Sequence, residues 1–392
     1  MTRLFSHSLA LAMALASATA VAQLKIGVIA SSTGATAVVG IPQKNSAALL
    51  PKKIGDLSVE YLVFDDASDA TQTVILVKKL LAEHKIDALI GPSGSPNSVS
   101  VVPLVAEAAT PMLAPVGATA VVLPMDDKKR WVFKTTQNDG LISEALIGHM
   151  VRHGVKTVGV IGFNDPYGDN WYSVFSAQAE QAGIKVVANE KFLRTDASVT
   201  GQVAKLMSAK PDAVLVAAAG GPTVLPHATL VDAGYKGRIY QTHGAATPDF
   251  LRLGGAKVEG TVLAASLMLV LPEMPDNTPS KAVALEYIGA YEKMYGSKPA
   301  TFGANVYDAG LLLSRAVPEA AKRGKPGTPE FRAALRDALE STRELVGTQG
   351  VYNMTVADHS GFDERGRVLI TVKDGNWRLL RDTLLGDLAE AA

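Results

Sequence analysis

IGPSGSPNSVSVVPLVAEAATPMLAPVGATA, residues 90–120, repeats one local pattern twice. A short apolar run ends at Ile90 and is stopped by Gly91-Pro92. Small and hydroxyl residues follow, Ser93, Gly94 and Ser95 among them. Val101, Val102, Leu104, Val105 and Ala108 then recur at helical spacing. A second apolar run, Met112 to Ala114, ends in the small-residue turn Gly117-Ala118-Thr119. The stretch reads as strand, loop, helix, strand, loop. Both loops follow the C-terminal ends of strands, where open α/β sheets take up ligands. Ser95 falls near the helix start, where unpaired N–H groups and the helix dipole attract an anion. Two readings stay open for Ser95: a side-chain cap, or a contact to the carboxylate of a small molecule held by both loops.

Outward from this stretch the alternation continues. Strands are expected at 25–30, 59–64 and 131–134, with helices at 42–53 and 70–83, the second capped by Asp69. A second series starts at Gly140, with strands at 157–162, 185–189, 213–217 and 238–241 separated by helices. Strand–helix alternation implies parallel sheets covered on both faces, and two series imply two doubly wound lobes. Helices are then expected at 281–295, 308–321 and 329–341. A hairpin is expected around Asp374-Gly375, and a frayed tail at 383–392.

Composition narrows the function classes. A chain of 392 residues suits about two domains, and 47% hydrophobic against 19% charged residues supplies sizeable cores. Residues 1–22 read as a signal peptide: Arg3, an apolar run at 9–16, and Ala20-Val21-Ala22 before Gln23. That run is too short and too interrupted for a membrane anchor, and no later stretch is long enough to insert. Cleavage would remove only Arg3 among charged residues, leaving 37 basic against 38 acidic. This balance offers nucleic acid no basic surface. The chain has no cysteine, which excludes disulfides, thiolate chemistry and a lipidated cysteine anchor. An exported, cysteine-free chain of this kind suits the periplasm.

Few residues suggest catalysis. His149 and His153 are spaced as metal ligands on a helix, but no third ligand is evident, and no metal is expected. Asp65, Asp66 and Asp69 match no calcium loop and read as caps. There is no nucleophile elbow and no glycine pattern for a nucleotide, so no cofactor is expected. A hydrolase could use Ser95 with His243, yet no acid is evident to orient that histidine. His243 itself follows a strand in a loop of small residues. Phe302, Tyr307 and Trp171 have core packing as their common fate.

Several segments in order carry a resemblance to a known family: Lys25-Ile26-Gly27-Val28 with Thr33-Gly34 and Gly40, Asp65-Asp66, Ile90-Gly91-Pro92 with Ser95, residues 111–120, Asn164-Asp165-Pro166-Tyr167-Gly168, and Gly361-Phe362-Asp363. Together they resemble the type I periplasmic binding proteins, the leucine/isoleucine/valine-binding solute receptors of ABC importers. The resemblance implies an α/β fold of two doubly wound lobes joined by a three-strand hinge, crossed near 136–140, 266–274 and 346–352. Lobe 1 would hold 23–138 and 268–345, and lobe 2 would hold 139–267 and 346–382. It implies a monomeric, non-enzymatic, periplasmic protein that hands a small carboxylate to an inner-membrane ABC permease.

By position, the resemblance makes Gly94, Ser95, Gly117, Ala118 and Thr119 the carboxylate anchors. It brings Tyr167, Ala219, Gly220 and His243 to the ligand from the second lobe. Amino-acid binders of the family place an acid at the position of His243 and a tyrosine near Ala219, and an aromatic residue is common at Val39. This chain has none of these. A buried ammonium without a counter-charge is costly, so the expected ligand is an aromatic acid or aromatic α-keto acid, its ring stacked on Tyr167 or Phe302. The alternatives are a branched-chain amino acid as ligand, or a hydrolase or ligand sensor on the same fold.

Overall fold

The computed structural model describes residues 23–381; the expected signal peptide and the tail after 383 lie outside them. Two sheets form from two series of strands. The first contains β1 (Gln23–Ile29), β2 (Lys53–Ile54), β3 (Leu57–Phe64), β4 (Ala88–Ile90), β5 (Met112–Ala114) and β6 (Val132–Lys134), in the order β2-β3-β1-β4-β5-β6. All its pairings are parallel except β2 with β3. The second contains β7 (Thr157–Phe163), β8 (Lys185–Phe192), β9 (Ala213–Ala217), β10 (Arg238–Gln241) and β11 (Val262–Ala265) in parallel. β12 (Leu345–Val346) and β13 (Val351–Tyr352) form a separate ribbon. The hairpin of β14 (Val368–Lys373) and β15 (Asn376–Leu379) then adds to β11 antiparallel and completes the second sheet. The inner strands β4, β5, β9 and β11 are buried along their whole length, as unbroken apolar runs covered on both faces must be.

The crossover helices are α1 (Ala37–Ala47), α2 (Ala70–Lys79) and α3 (Ser95–Glu107) in the first lobe, and α4 (Asp139–Arg152), α5 (Pro166–Gln181), α6 (Thr200–Ser208), α7 (Val224–Asp232) and α8 (Pro248–Gly254) in the second. α9 (Lys281–Tyr295), α10 (Thr301–Ala321) and α11 (Pro329–Glu340) follow. Two helices begin earlier than their sequence pattern suggests. α1 starts at Ala37 and carries Pro42 inside it, whereas Pro42 reads as a first-turn residue. α10 starts at Thr301 and not at 308, which moves Phe302 and Asn305 from an expected loop onto a helix. Of the acidic cluster only Asp69 caps a helix, accepting from Thr71 N at 2.7 Å and Gln72 N at 2.9 Å, while Asp66 accepts from the Asn97 and Thr73 side chains and Asp65 from the loop N–H groups of Ser32 and Ala67.

Separate cores stabilise the lobes. Ile26, Val28, Leu113 and Phe133 pack with Val306, Leu313 and Phe331 of α10 and α11. Trp171, Phe175, Val160 and Leu215 lie in the second lobe's core. The ribbon β12–β13, expected in the second lobe, packs on the first. Tyr352 and Met354 join the first core, and the Tyr352 hydroxyl donates to Asp308 Oδ2 at 3.0 Å and Thr135 O at 3.1 Å. α9, expected in the first lobe, buries Tyr287 and Tyr291 in a cluster with Phe250, Leu263 and Trp377 of the second.

The chain passes between the sheets after β6, after β11 and before β14. The first and last passages are joined to each other. Lys134 N donates to His359 O at 2.8 Å, Gln137 Nε2 to Gly366 O at 2.5 Å, and Ser360 Oγ to Thr136 O at 3.4 Å. Beside them the buried Asp308 carboxylate accepts from Thr348 N at 2.8 Å, while burial pushes its pKa up to about 7.

Candidate functional site

Between the lobes lies a cleft of about 430 Å³. Its first-lobe wall is built where β1, β4 and β5 end. Gly94 is the N-cap of α3 and Ser95 its first residue; neither provides a side-chain cap. The Ser95 hydroxyl is therefore not spent on its own helix, contrary to the capping reading. The first intrahelical bond is Ser98 N to Gly94 O at 2.8 Å, so the N–H groups before it belong to the open end of the helix. Ser93 Oγ, beside them, accepts from Ser31 N at 2.9 Å and braces the β4 loop against the β1 loop.

The second-lobe wall is built where β7 to β10 end. Tyr167 stands in the first turn of α5, which Asp165 caps through Tyr167 N at 2.8 Å and Gly168 N at 3.3 Å. Thr242 Oγ1 donates to Ala218 O at 2.8 Å, so it accepts from the Tyr167 hydroxyl, also at 2.8 Å. Burial holds the Tyr167 phenol above its usual pKa and therefore neutral. His243 lies just after β10. Burial, aided by the nearby Lys134 charge, pushes its pKa down to about 3, so the imidazole is neutral at physiological pH. Its Nδ1 is buried without a hydrogen-bond partner among the described residues.

Behind His243 stands an acid that sequence reading missed. Asp139, the first residue of α4, is fully buried with Oδ1 4.0 Å from His243 Nε2. Burial raises its pKa, and the attraction of Lys134 and a 2.6 Å bond from Asn170 Nδ2 oppose that rise. Lys134 is also buried, which depresses its pKa, and its ammonium donates to Gly117 O at 2.5 Å and Asn138 Oδ1 at 2.8 Å. Asn170 turns its other end to the first lobe, accepting from Ala120 N at 3.1 Å. The lobes thus touch in this structure. A β-carbon added to Gly117 would lie 2.7 Å from both Asp139 Oδ1 and His243 Nε2.

Of the residues expected at the ligand, Gly94, Ser95, Gly117, Tyr167, Ala219, His243 and Phe302 line this one cleft. Ala118, Thr119 and Gly220 do not. Ala118 is fully buried, Thr119 opens a short 3-10 turn, and Gly220 shapes its loop with φ +69° and an N–H to Gly244 O. Val39 also lines the cleft, together with Thr36, Ser93, Asn305 and Arg194, which sequence reading did not single out. Thr36 and Arg194 follow the ends of β1 and β8, so the strand-end rule that selected Ser95 also points to them.

Arg194 stacks on Phe163, its guanidinium carbon 4.0 Å from the ring centroid, and its Nε donates to Asp165 Oδ2 at 2.7 Å. Among the described residues no acidic side chain lines the cleft. Its walls offer hydroxyls, a helix N-terminus, a neutral imidazole and a guanidinium, a set matched to an anion. No hydrogen bond joins Ser95 to His243 among the described residues, and the acid near His243 faces Nε2, the nitrogen a serine would need. His149 and His153 stack at 4.0 Å, and His149 Nδ1 lies 2.9 Å from the Tyr240 hydroxyl.

The profile of the family described as periplasmic binding protein matches residues 23–374. The structure is similar to an extracellular ligand-binding receptor from Rhodopseudomonas palustris HaA2, with 43% identity and a TM-score of 0.89 over 92% of this chain and 100% of that one. It shares its fold with the leucine-binding protein LivK of Thermotoga maritima MSB8 (23% identity, TM-score 0.77, covering 91% of this chain and 97% of that). It likewise shares it with an ABC transporter solute-binding protein of R. palustris in complex with benzoate (22% identity, TM-score 0.76, covering 91% and 95%). No curated protein sequence matches the chain. Two doubly wound lobes, a donor-lined cleft between them and a family match over nearly all the described residues lead to one conclusion: the chain belongs to the type I periplasmic binding protein family.

Proposed function

We propose that the protein is the exported receptor of an ABC importer and captures an aromatic acid or aromatic α-keto acid by hinged closure. The observation that carries this reading is the absence of any acidic side chain from the cleft walls among the described residues, opposite a retained Ser95 helix start. An α-amino acid would bring an ammonium against a neutral imidazole and a guanidinium. An aromatic acid has no such group to satisfy. Its carboxylate takes the N–H and hydroxyl donors of the first wall, a keto oxygen can accept from His243, and Ala219 leaves space for a ring between Tyr167 and Phe302.

The fold holds benzoate in one neighbour and is named for leucine in another, so side chains and not topology select the ligand. A branched-chain amino acid remains the second reading because of Asp139, whose carboxylate lies behind His243. Its burial and its bond from Asn170 leave it a supporting position. Membership of a solute-binding family supports binding as the activity, and among the described residues no serine is hydrogen-bonded to the His243 ring. Closure requires the ligand to favour the closed form. Shifting a population from 1% to 99% closed takes about 5.5 kcal/mol, and two or three charge-assisted hydrogen bonds at roughly 1.5–3 kcal/mol each reach that magnitude.

Competitive calorimetric titration of the mature protein with phenylpyruvate, benzoate and leucine tests the reading. An aromatic acid binding at least about tenfold tighter than leucine, a gap of about 1.4 kcal/mol, supports it. Preference for leucine overturns the ligand class.

A further inference from the structure

We propose that the ligand carries a second acidic group, at the end remote from the carboxylate held by Ser95, and that Arg194 receives it. The inference rests on the carboxylate reading above and extends it. Arg194 is the one full cation on the cleft walls among the described residues. It comes from the loop after β8, on the lobe opposite Ser95.

Its guanidinium is held in place before any ligand arrives. One face stacks on Phe163 and Nε is bound to Asp165, whose other oxygen caps α5. Those contacts use one of its nitrogens. The two terminal nitrogens have no hydrogen-bond partner among the described residues, and together they form the parallel pair of donors that grips a carboxylate from two points. A single acid group would leave either this fork or the Ser95 helix start unmatched. A rigid aromatic dicarboxylate satisfies both, with its ring in the space bordered by Tyr167, Ala219 and Phe302. It also ties one lobe to the other through its two ends, which gives the closed form the differential affinity that closure needs.

The test uses the mature protein and three probes titrated by calorimetry: benzoate, terephthalate, and 4-carbamoylbenzoate, which keeps the shape of terephthalate without its second charge. Terephthalate is expected to bind at least about tenfold tighter than 4-carbamoylbenzoate. Arg194→Gln is expected to bring that ratio to about one, and Arg194→Lys to retain part of it, with circular dichroism and thermal unfolding showing both variants folded. Should Arg194→Gln fail to fold, the ratio in Arg194→Lys and wild type decides. A wild-type ratio near one overturns the inference while benzoate binding keeps the aromatic-acid reading intact. Equal losses for all three probes in Arg194→Gln also overturn it, since a lone carboxylate would then sit on the guanidinium. Failure of all three to bind wild type removes the aromatic-acid reading and the inference with it.

Discussion

Gly117 of the first lobe meets His243 of the second so closely that a β-carbon at 117 would stand 2.7 Å from the imidazole Nε2. The neighbours it would strike are a buried histidine and a buried aspartate, neither of them the free end of a flexible chain. Within its own lobe Gly117 needs no unusual backbone, as it is not among the residues with positive φ. Gly117→Ala should therefore fold normally, within about 0.5 kcal/mol of wild type, yet obstruct closure. Aromatic-acid affinity should fall at least about tenfold. Small-angle scattering should show the radius of gyration shrinking with saturating ligand in wild type and staying constant in the variant. Equal contraction in both proteins would show that the close approach plays no part in closing.

Ser95→Ala removes a hydroxyl that makes no cap bond to its own helix. Folding stability should hardly change, because the N-cap is Gly94. Affinity for a carboxylate ligand should drop by about 1–3 kcal/mol, the usual cost of losing a hydrogen bond to a charged group. Calorimetry with unaltered affinity and lowered thermal stability would make Ser95 a structural residue only.

His243→Glu places a carboxylate where the wall is neutral. The preference for an aromatic acid over leucine should narrow, since an ammonium gains a counter-charge and an anion meets repulsion. Asp139, 4.0 Å from the present imidazole, limits the effect by disfavouring a second ionised acid beside it. Competition titrations of both ligand classes on both proteins read the change. A gap as wide as in wild type would place the discriminating group elsewhere.

Asp308 makes stability depend on pH. Its folded pKa of about 7 lies above the ordinary 3.8 because burial penalises the charged form. The native state therefore holds this proton more tightly than the unfolded chain. The contribution is fully present below about pH 4 and is lost as pH rises through about 7, at no more than roughly 1.4 kcal/mol per unit. Asp308→Asn should abolish that dependence, so the variant should gain on wild type across this window in urea unfolding. His227 and His243, pushed down to about 4 and about 3 by burial, act in the opposite sense, as their neutral native forms lose stability when pH falls below about 6.5. Those groups are common to both proteins and cancel in the comparison. A constant difference across the window would mean that Asp308 titrates normally.

The two-lobed plan is legible because each strand and helix declares itself locally: unbroken apolar runs such as Ala213–Ala217, and caps such as Asp69. The Ser95 wall is legible for the same reason, as one turn of chain makes it. What escapes is assembled across distance. Asp139 reaches His243 from a helix start in a different part of the second lobe, and no pattern around either residue announces the meeting. Arg194 reads as an ordinary loop arginine until Phe163 and Asp165 fix it at the cleft. Tyr352 sits at an expected crossing point, yet its hydroxyl finds Asp308 and Thr135, and those bonds carry the ribbon to the first lobe.

The first and last passages between the sheets are bonded to each other through Lys134 N and His359 O, Gln137 and Gly366, and Thr136 and Ser360. Two ribbons laced in this way cannot pivot independently. The lacing resists twisting and sliding of the lobes and favours opening along a single angle. A binding protein with one dominant mechanical coordinate has two end states, open and closed. Intermediate shapes then lie along one line between those ends, and the lacing leaves little room for a third arrangement.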